Sequence, residues 1–414
     1  MRPRQLVGRA ISIALVVIGG VRCADGNVGG GGGGTGPSGA TLKAVTGKDK
    51  QAGLTSGLVQ IQVELNGATD INAQTIEWTV TSGGGTVPAT SQTTNTGIAT
   101  VNWTLGSPIG VQGLRAEYSE PGSSTTARVD IVAVAVTNPS CVPGRYLNGV
   151  LSAGESWTST GGAIVLPNGA NTPQNGLISM APGTTVCLGP LQNIVFNLGG
   201  RLSAAGSGAS PVTVTAMDLA QPWGSLRFDG APAQPSTISH AVMDHGSLGA
   251  IALSDNHVLQ IDNSTITEMT GLGVRIVAPG SFVHTTNISN VSGQPGAFGA
   301  RLGSASAPSA VLDFSARVTN TAGVMIEGAG AALTACEVTG TTGVAIEIAN
   351  GAGPVSVNGC NIVGNTLGIR NYIGNASVDA TGNWWGGAAG PALGTNIGTV
   401  DQSGWVGGPV PLGY

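Results

Sequence analysis

Charge is scarce in this chain: 9% of the 414 residues are charged and 4% are aromatic. No apolar run reaches the ~18 residues that a spanning helix needs, which excludes helical membrane segments. Basic residues number 16 against 21 acidic ones. With so few aromatics, that balance excludes a nucleic-acid footprint. There is no Cys-x-x-Cys pair and no Cys/His cluster, so a zinc site is excluded. A dense Asp cluster suited to calcium is also missing. Disorder, the reading that abundant Gly, Ser and Thr would suggest, fails too. Regular Val/Ile/Leu alternation runs from about Val212 to Trp385, which disordered tracts lack.

What is present is glycine, 69 residues of it, and part of it is periodic. A glycine followed by an apolar–any–apolar triplet returns at Gly249, Gly273, Gly299, Gly323, Gly343 and Gly368, with spacings of 24, 26, 24, 20 and 25. A repeat of that length means a stacked architecture, here a solenoid of parallel strands. The expected inward pairs are Val274/Ile276, Ala300/Leu302, Val324/Ile326 and Val344/Ile346. Leu226/Phe228 and Ile251/Leu253 fit with a one-residue shift. A second register runs through Ile261, Ser264, Ile266; Val283, Thr286, Ile288; Ala316, Val318; Leu333, Cys336, Val338; and Val357, Cys360, Ile362. Stacked neighbours then lie about 4.8 Å apart. Cys336 and Cys360 face inward on adjacent turns. Cysteine is a small core hydrophobe there, with a cross-turn disulfide or a reactive thiol as the rival readings. Asn263, Asn287, Asn290, Asn358, Asn361, Asn365 and Asn383 are expected at bends, where asparagine tolerates left-handed backbone.

The N-terminus reads as an address. Arg2, Arg4 and Arg9 precede the short apolar stretch Ile11 to Ile18, as in a secretory signal over 1–22. Without the four arginines of that segment, 12 basic residues face 21 acidic ones. Cys23 then opens a glycine-rich tether over 23–38. Signal, cysteine and tether resemble a bacterial lipoprotein, which implies a lipid on Cys23, an extracytoplasmic location and membrane contact only through that anchor. Gly20 and Arg22 depart from the usual lipoprotein pattern, and ordinary cleavage near Gly19 with Cys23 incidental is the other reading. In an exported chain an even cysteine count permits disulfides; Cys141 and Cys187 are the candidate pair, stapling the first coil.

From 39 to 137, alternation predicts strands at 58–65, 75–80, 98–105, 114–119 and 127–136, an all-β sandwich. Trp78 and Trp103 fall within these patterns as core residues. Val45-Thr46-Gly47, Gln51, TVTSGGGTV (79–87), TNTGIATVNWTLGSPIG (94–110) and Leu114-Arg115-Ala116 resemble bacterial Ig-like domains of the invasin/intimin type, which implies a spacer without catalytic residues.

The region 138–414 carries a second resemblance. Met180-Ala181-Pro182-Gly183-Thr184, Gly199 to Gly206, Pro211 to Thr215 and Trp223-Gly224-Ser225-Leu226 resemble the opening turns of right-handed parallel β-helix proteins of the pectin-lyase-like superfamily. Gly382-Asn383-Trp384-Trp385-Gly386 with Gly390-Pro391 resembles their terminal turn, so Trp384 and Trp385 are expected to cap the stack. The superfamily contains polysaccharide lyases and hydrolases. Hydrolysis needs two positioned carboxylates, and the polygalacturonase motifs are not present as a set. Asp244-His245-Gly246 comes nearest and is read as a turn.

Candidate ligand-binding residues lie on the outer wall. Arg227, Ala252, Arg275, Arg301, Met325, Ala345 and Arg370 are expected in one outward column, with Asp229, Glu327 and Glu347 two positions on. That arrangement suits an anionic polysaccharide, or Ca2+ between Glu327 and Glu347; plain solvation of an exposed face is the bland alternative. No other cofactor or metal and no catalytic residue is assigned. The expectation is an exported, surface-tethered, non-catalytic protein whose β-helix binds carbohydrate or a surface protein. The alternatives are a carbohydrate-active enzyme acting on an acidic glycan, and an envelope component without a ligand.

Overall fold

The structure, a computed structural model, describes residues 39–292, 297–304, 312–328, 330–372, 374–392 and 396–412. The expected signal, the tether and Cys23 lie outside the described residues. The described chain is all-β, with one 3-10 turn at Pro139–Cys141 as its helical element.

The N-terminal part holds two sheets around one core. One is antiparallel and joins Thr41–Ala44, Leu58–Asn66, Ile98–Leu105 and Gly85–Thr86. The other joins Thr90–Gln92, Thr75–Ser82, Gly110–Ser119 and Thr126–Val136, also antiparallel. Alternate residues point between them, so Ile61, Val63, Ile76, Leu114, Trp78 and Trp103 form the shared core. The Trp78 indole N–H donates to Ser91 Oγ at 2.9 Å, which meets its one polar requirement.

The two parts of the chain are sewn together by backbone. Lys50–Leu54 runs parallel to Thr126–Val136 on one edge and antiparallel to Gly144–Tyr146 on the other. Gly144–Tyr146 in turn pairs in parallel with Ala163–Leu166. The N–H groups of Thr137 and Asn138 both donate to Met217 O, at 3.1 and 3.0 Å. Asn138 Nδ2 donates to Ala216 O at 2.8 Å. Cys141 and Cys187 are disulfide-bonded and buried in a cluster with Ala52, Val134, Val165 and Met217.

From Gly144 onward every turn contributes to three parallel sheets. The first contains Ser236–Ser239, Leu259–Asp262 and Ala331–Thr334 and their stacked equivalents. The second contains Ala241–Asp244, Thr265–Thr267, Glu337–Thr339 and Asn361–Val363. The third is nine-stranded, and each of its strands from Leu248 onward begins within one residue of a periodic glycine. A single left-handed residue turns the chain from first sheet to second: His240 (φ 48°), Asn263 (47°), Thr285 (47°), Ala335 (47°) and Gly359 (64°). Of the seven asparagines expected at bends, only Asn263 and Asn290 have positive φ. Asn358, Asn361, Asn365 and Asn383 act through their amides. Buried Asn383 accepts the Cys360 N–H at 2.8 Å and donates to Val357 O and Ala380 O, at 2.6 and 2.7 Å.

The glycines are periodic because the third sheet is tightly packed at that position. A Cβ on Gly249 would meet Gly273 O, and one on Gly273 would meet Gly299 O and Ile288 Cγ2. The one departure is Gly343. Val324 pairs with Ile346, so Ala345 holds the stacked position and Gly343 lies two residues outside it. The inward pair there is Ile346/Ile348, not Val344/Ile346. Of the two pairs expected with a one-residue shift, Leu226/Phe228 does face inward, but at the next turn Ala250 and Ala252 do so and Ile251 and Leu253 do not. At Gly343 the glycine itself misled the reading, and at Ile251 the more hydrophobic residue did. Cys336 and Cys360, read first as separate core residues, are joined as a disulfide across adjacent turns. Trp385 packs against the solenoid core near its end.

The core also buries an imidazole. His257 packs against Phe228, which stacks on Phe196 with centroids 4.7 Å apart. Its Nδ1 faces Gly230 O at 3.0 Å and must carry the hydrogen. Its Nε2 therefore accepts from Ser236 Oγ at 2.9 Å. Burial holds the pKa below its ordinary 6.5, against weaker opposing effects of the Gly230 carbonyl and Asp229. The folded state thus resists a proton that the unfolded state takes up. The associated stability is present above 6.5 and is lost as pH falls below it toward the lower folded value. The thermal midpoint should therefore drop between about pH 7 and about pH 5.5, and His257→Gln should flatten that drop. An equally steep fall in the variant would assign the effect to other groups.

Candidate functional site

The third sheet presents its outer face to solvent, and strand register decides which residues share it. Arg227, Ile251, Arg275, Arg301, Met325, Glu347 and Arg370 stand in one column, each on the strand next to the last. Ala252 and Ala345, expected in this column, are buried. Ile251 and Glu347 occupy their places.

This register changes the electrostatics. Glu347 stands beside Met325 and not beside Glu327, so the two carboxylates do not form the like-charge pair foreseen for a cation. Each is instead held by arginine. Glu327 contacts Arg301 Nη2 through one oxygen and lies 3.9 Å from Arg275 Nε through the other. Arg370 Nη1 is 3.5 Å from Glu347 Oε1, which also accepts the Tyr372 hydroxyl at 2.8 Å. Arg227 pairs with Asp229 at 3.4 Å, and Ile251 separates it from the rest of the strip. Among the described residues, no three His, Cys, Asp or Glu side chains converge as a metal-holding group.

The arginines rise from an apolar floor. Ile251, Leu272 and Phe298 form a small cluster outside the main core, with Leu248, Ala322 and Met325 against it. Leu248, Ile251, Leu253 and Leu272 together with Arg275, Arg301 and Glu327 line an open depression of about 520 Å³. Arg301 is 38% exposed and Arg275 23%, so both guanidinium groups border the depression while partly desolvated. A partly desolvated arginine beside aliphatic carbon suits a ligand that carries both a carboxylate and C–H surface. Farther along, exposed Tyr372 and Ile397 extend the strip beyond Arg370.

A titratable corner borders this face. His245 and Glu268 are left-handed bend residues on successive turns, φ 52° and 54°, between the second and third sheets. Glu268 Oε2 is 2.7 Å from His245 Nε2, and Asp244 Oδ1 is 3.2 Å from Nδ1. Glu268 is placed to share the Nε2 proton, whereas Asp244 Oδ1 and Nδ1, though close, make no hydrogen bond to each other. Glu268 was not visible as a partner in the sequence. The only signal was its position, one solenoid turn after His245.

A family model described as a right handed beta helix region matches residues 231–384. Together with the parallel register, this supports the β-helix resemblance over that segment. No curated protein matches the chain. Two solved structures are similar. A crystal structure of alginate lyase from Paenibacillus sp. str. FPU-7 is 16% identical, covers 60% of this chain and 99% of its own, and has a TM-score of 0.39. The Agl-KA catalytic domain is 12% identical, covers 91% of this chain and 95% of its own, and has a TM-score of 0.31. At those scores the description of the fold rests on register and on the family model.

Proposed function

We propose that this is an exported protein in which an Ig-like unit, residues 39–137, carries a β-helix, residues 138–414, that engages an acidic polysaccharide. The polymer lies on the outer face of the third sheet. Arg275 and Arg301 take its carboxylates by exchange with Glu327, the apolar floor meets its C–H surface, and Arg370 with Tyr372 extends the contact. The observation that carries this reading is the placement of Arg275, Arg301 and Glu327 over the Leu248–Ile251–Leu272 floor. A lipid on Cys23 and an extracytoplasmic location complete the proposal. Arg275→Ala with Arg301→Ala is expected to weaken binding on a uronate-polymer array at least tenfold, about 1.4 kcal/mol. Unchanged binding rejects the site.

The narrower expectation of a non-catalytic display body gains no support. A second reading, that the bound polymer is also cleaved, is favoured by the His245 corner, where Glu268 stands 2.7 Å from Nε2. Incubation with the same polymers separates the readings. New unsaturated or reducing ends that disappear in His245→Ala mean cleavage, and no new ends mean recognition alone.

A further inference from the structure

A different face of the solenoid carries groups that the arginine strip does not use. On the outer side of the first sheet, Phe282 and His284 stack with ring centroids 4.4 Å apart and planes 18° from parallel. Both rings are partly exposed. His284 Nε2 is 3.1 Å from Asp313 Oδ2, which fixes the imidazole. Register places Phe282 between Gln260 and Asp313, and His284 next to Asp262. Immediately after His284 the chain bends at Thr285, and an open cleft of about 490 Å³ begins there. Asn263, Thr265, Thr285 and Asn287 supply amides and hydroxyls to its wall.

We infer that this surface is a second carbohydrate site, and that its ligand is a neutral sugar chain. The partly exposed Phe282 ring offers a flat apolar face with no hydrogen-bonding demand of its own, matching the C–H face of a pyranose. The surrounding groups are mainly acceptors and two-way donors: the Asp262 and Asp313 carboxylates, the Gln260 and Asn263 amides and the bend hydroxyls. They suit sugar hydroxyls, which donate and accept. Asp262 and Asp313 flank the stack, and Arg317, which with His240 also lines the cleft, is paired with Glu337 at 3.2 Å, so the balance disfavours a polyanion here. The two faces thus differ in the charge of the glycan they accept, and the inference stands without the arginine strip.

The experiment is calorimetric titration of the full chain with cellohexaose, xylohexaose, laminarihexaose and mannohexaose. At least one is expected to bind. Phe282→Ala should weaken that binding at least tenfold, and Phe282→Trp should restore it. Asp313→Asn should weaken it with the ring still in place. Arg275→Ala with Arg301→Ala should leave it unchanged. The inference is overturned if none of the four binds, if Phe282→Ala binds as well as the unaltered chain, or if the arginine variant abolishes neutral-sugar binding.

Discussion

Cys141→Ser should lower the unfolding free energy by about 4 kcal/mol, the chain entropy released when a loop of this length is opened. The bond closes 46 residues, almost twice the 24 closed by Cys336–Cys360. It also joins the 3-10 turn at the end of the N-terminal part to the second sheet of the solenoid, inside a dry cluster. Cutting it loosens both walls and leaves an uncoupled sulfur among Val134, Val165 and Met217. Urea unfolding followed by circular dichroism measures the effect. A loss under about 1 kcal/mol would show that packing and the shared strands already supply the constraint.

Gly273→Val should cost about 3 kcal/mol, the upper part of the usual range for overpacking. The reason is what the new carbon meets. Gly299 O accepts the Val274 N–H at 3.1 Å, so it is pinned at the point the side chain would enter. A flexible side chain could swing away, but a ladder carbonyl moves only with its strand. The disturbance should pass to the next turn, because Gly299 N–H donates to Gly323 O at 2.8 Å. Alanine, already accommodated at the equivalent Ala345, marks the smaller end of the effect. Equal stability of the valine variant would mean that the glycines are periodic for some other reason.

These cases show what was legible in the chain and why. The stack was readable because its repeat is enforced twice, by the space-limited glycines and by strictly alternating apolar residues in the second register. Ile261, Val283, Phe314, Leu333 and Val357 follow one another in register. The outward column was readable only where alternation was unambiguous. At Ala250-Ile251-Ala252, hydrophobicity pointed one way and strand phase the other. Phase won, because a narrow rung accepts two alanines and the outer cluster accepts isoleucine. At Gly343 the turn is shorter, and the glycine marks a bend rather than the stacked position. The His245–Glu268 contact depends on how neighbouring turns align, which a single turn does not encode. Phe282 and His284 lie two residues apart on one strand, so alternation put both on one face, and only their stacking needed the structure.

The strand Lys50–Leu54 leaves no swivel between the two parts of the molecule. It is hydrogen-bonded on both edges, to the last strand before the boundary and to the first one after it. A bead-on-string connection would let the solenoid sample all headings, whereas this seam fixes its azimuth. Whatever orients the N-terminal part therefore also aims the arginine strip and the aromatic stack. Any pull on one end is borne in shear by backbone hydrogen bonds rather than taken up as slack.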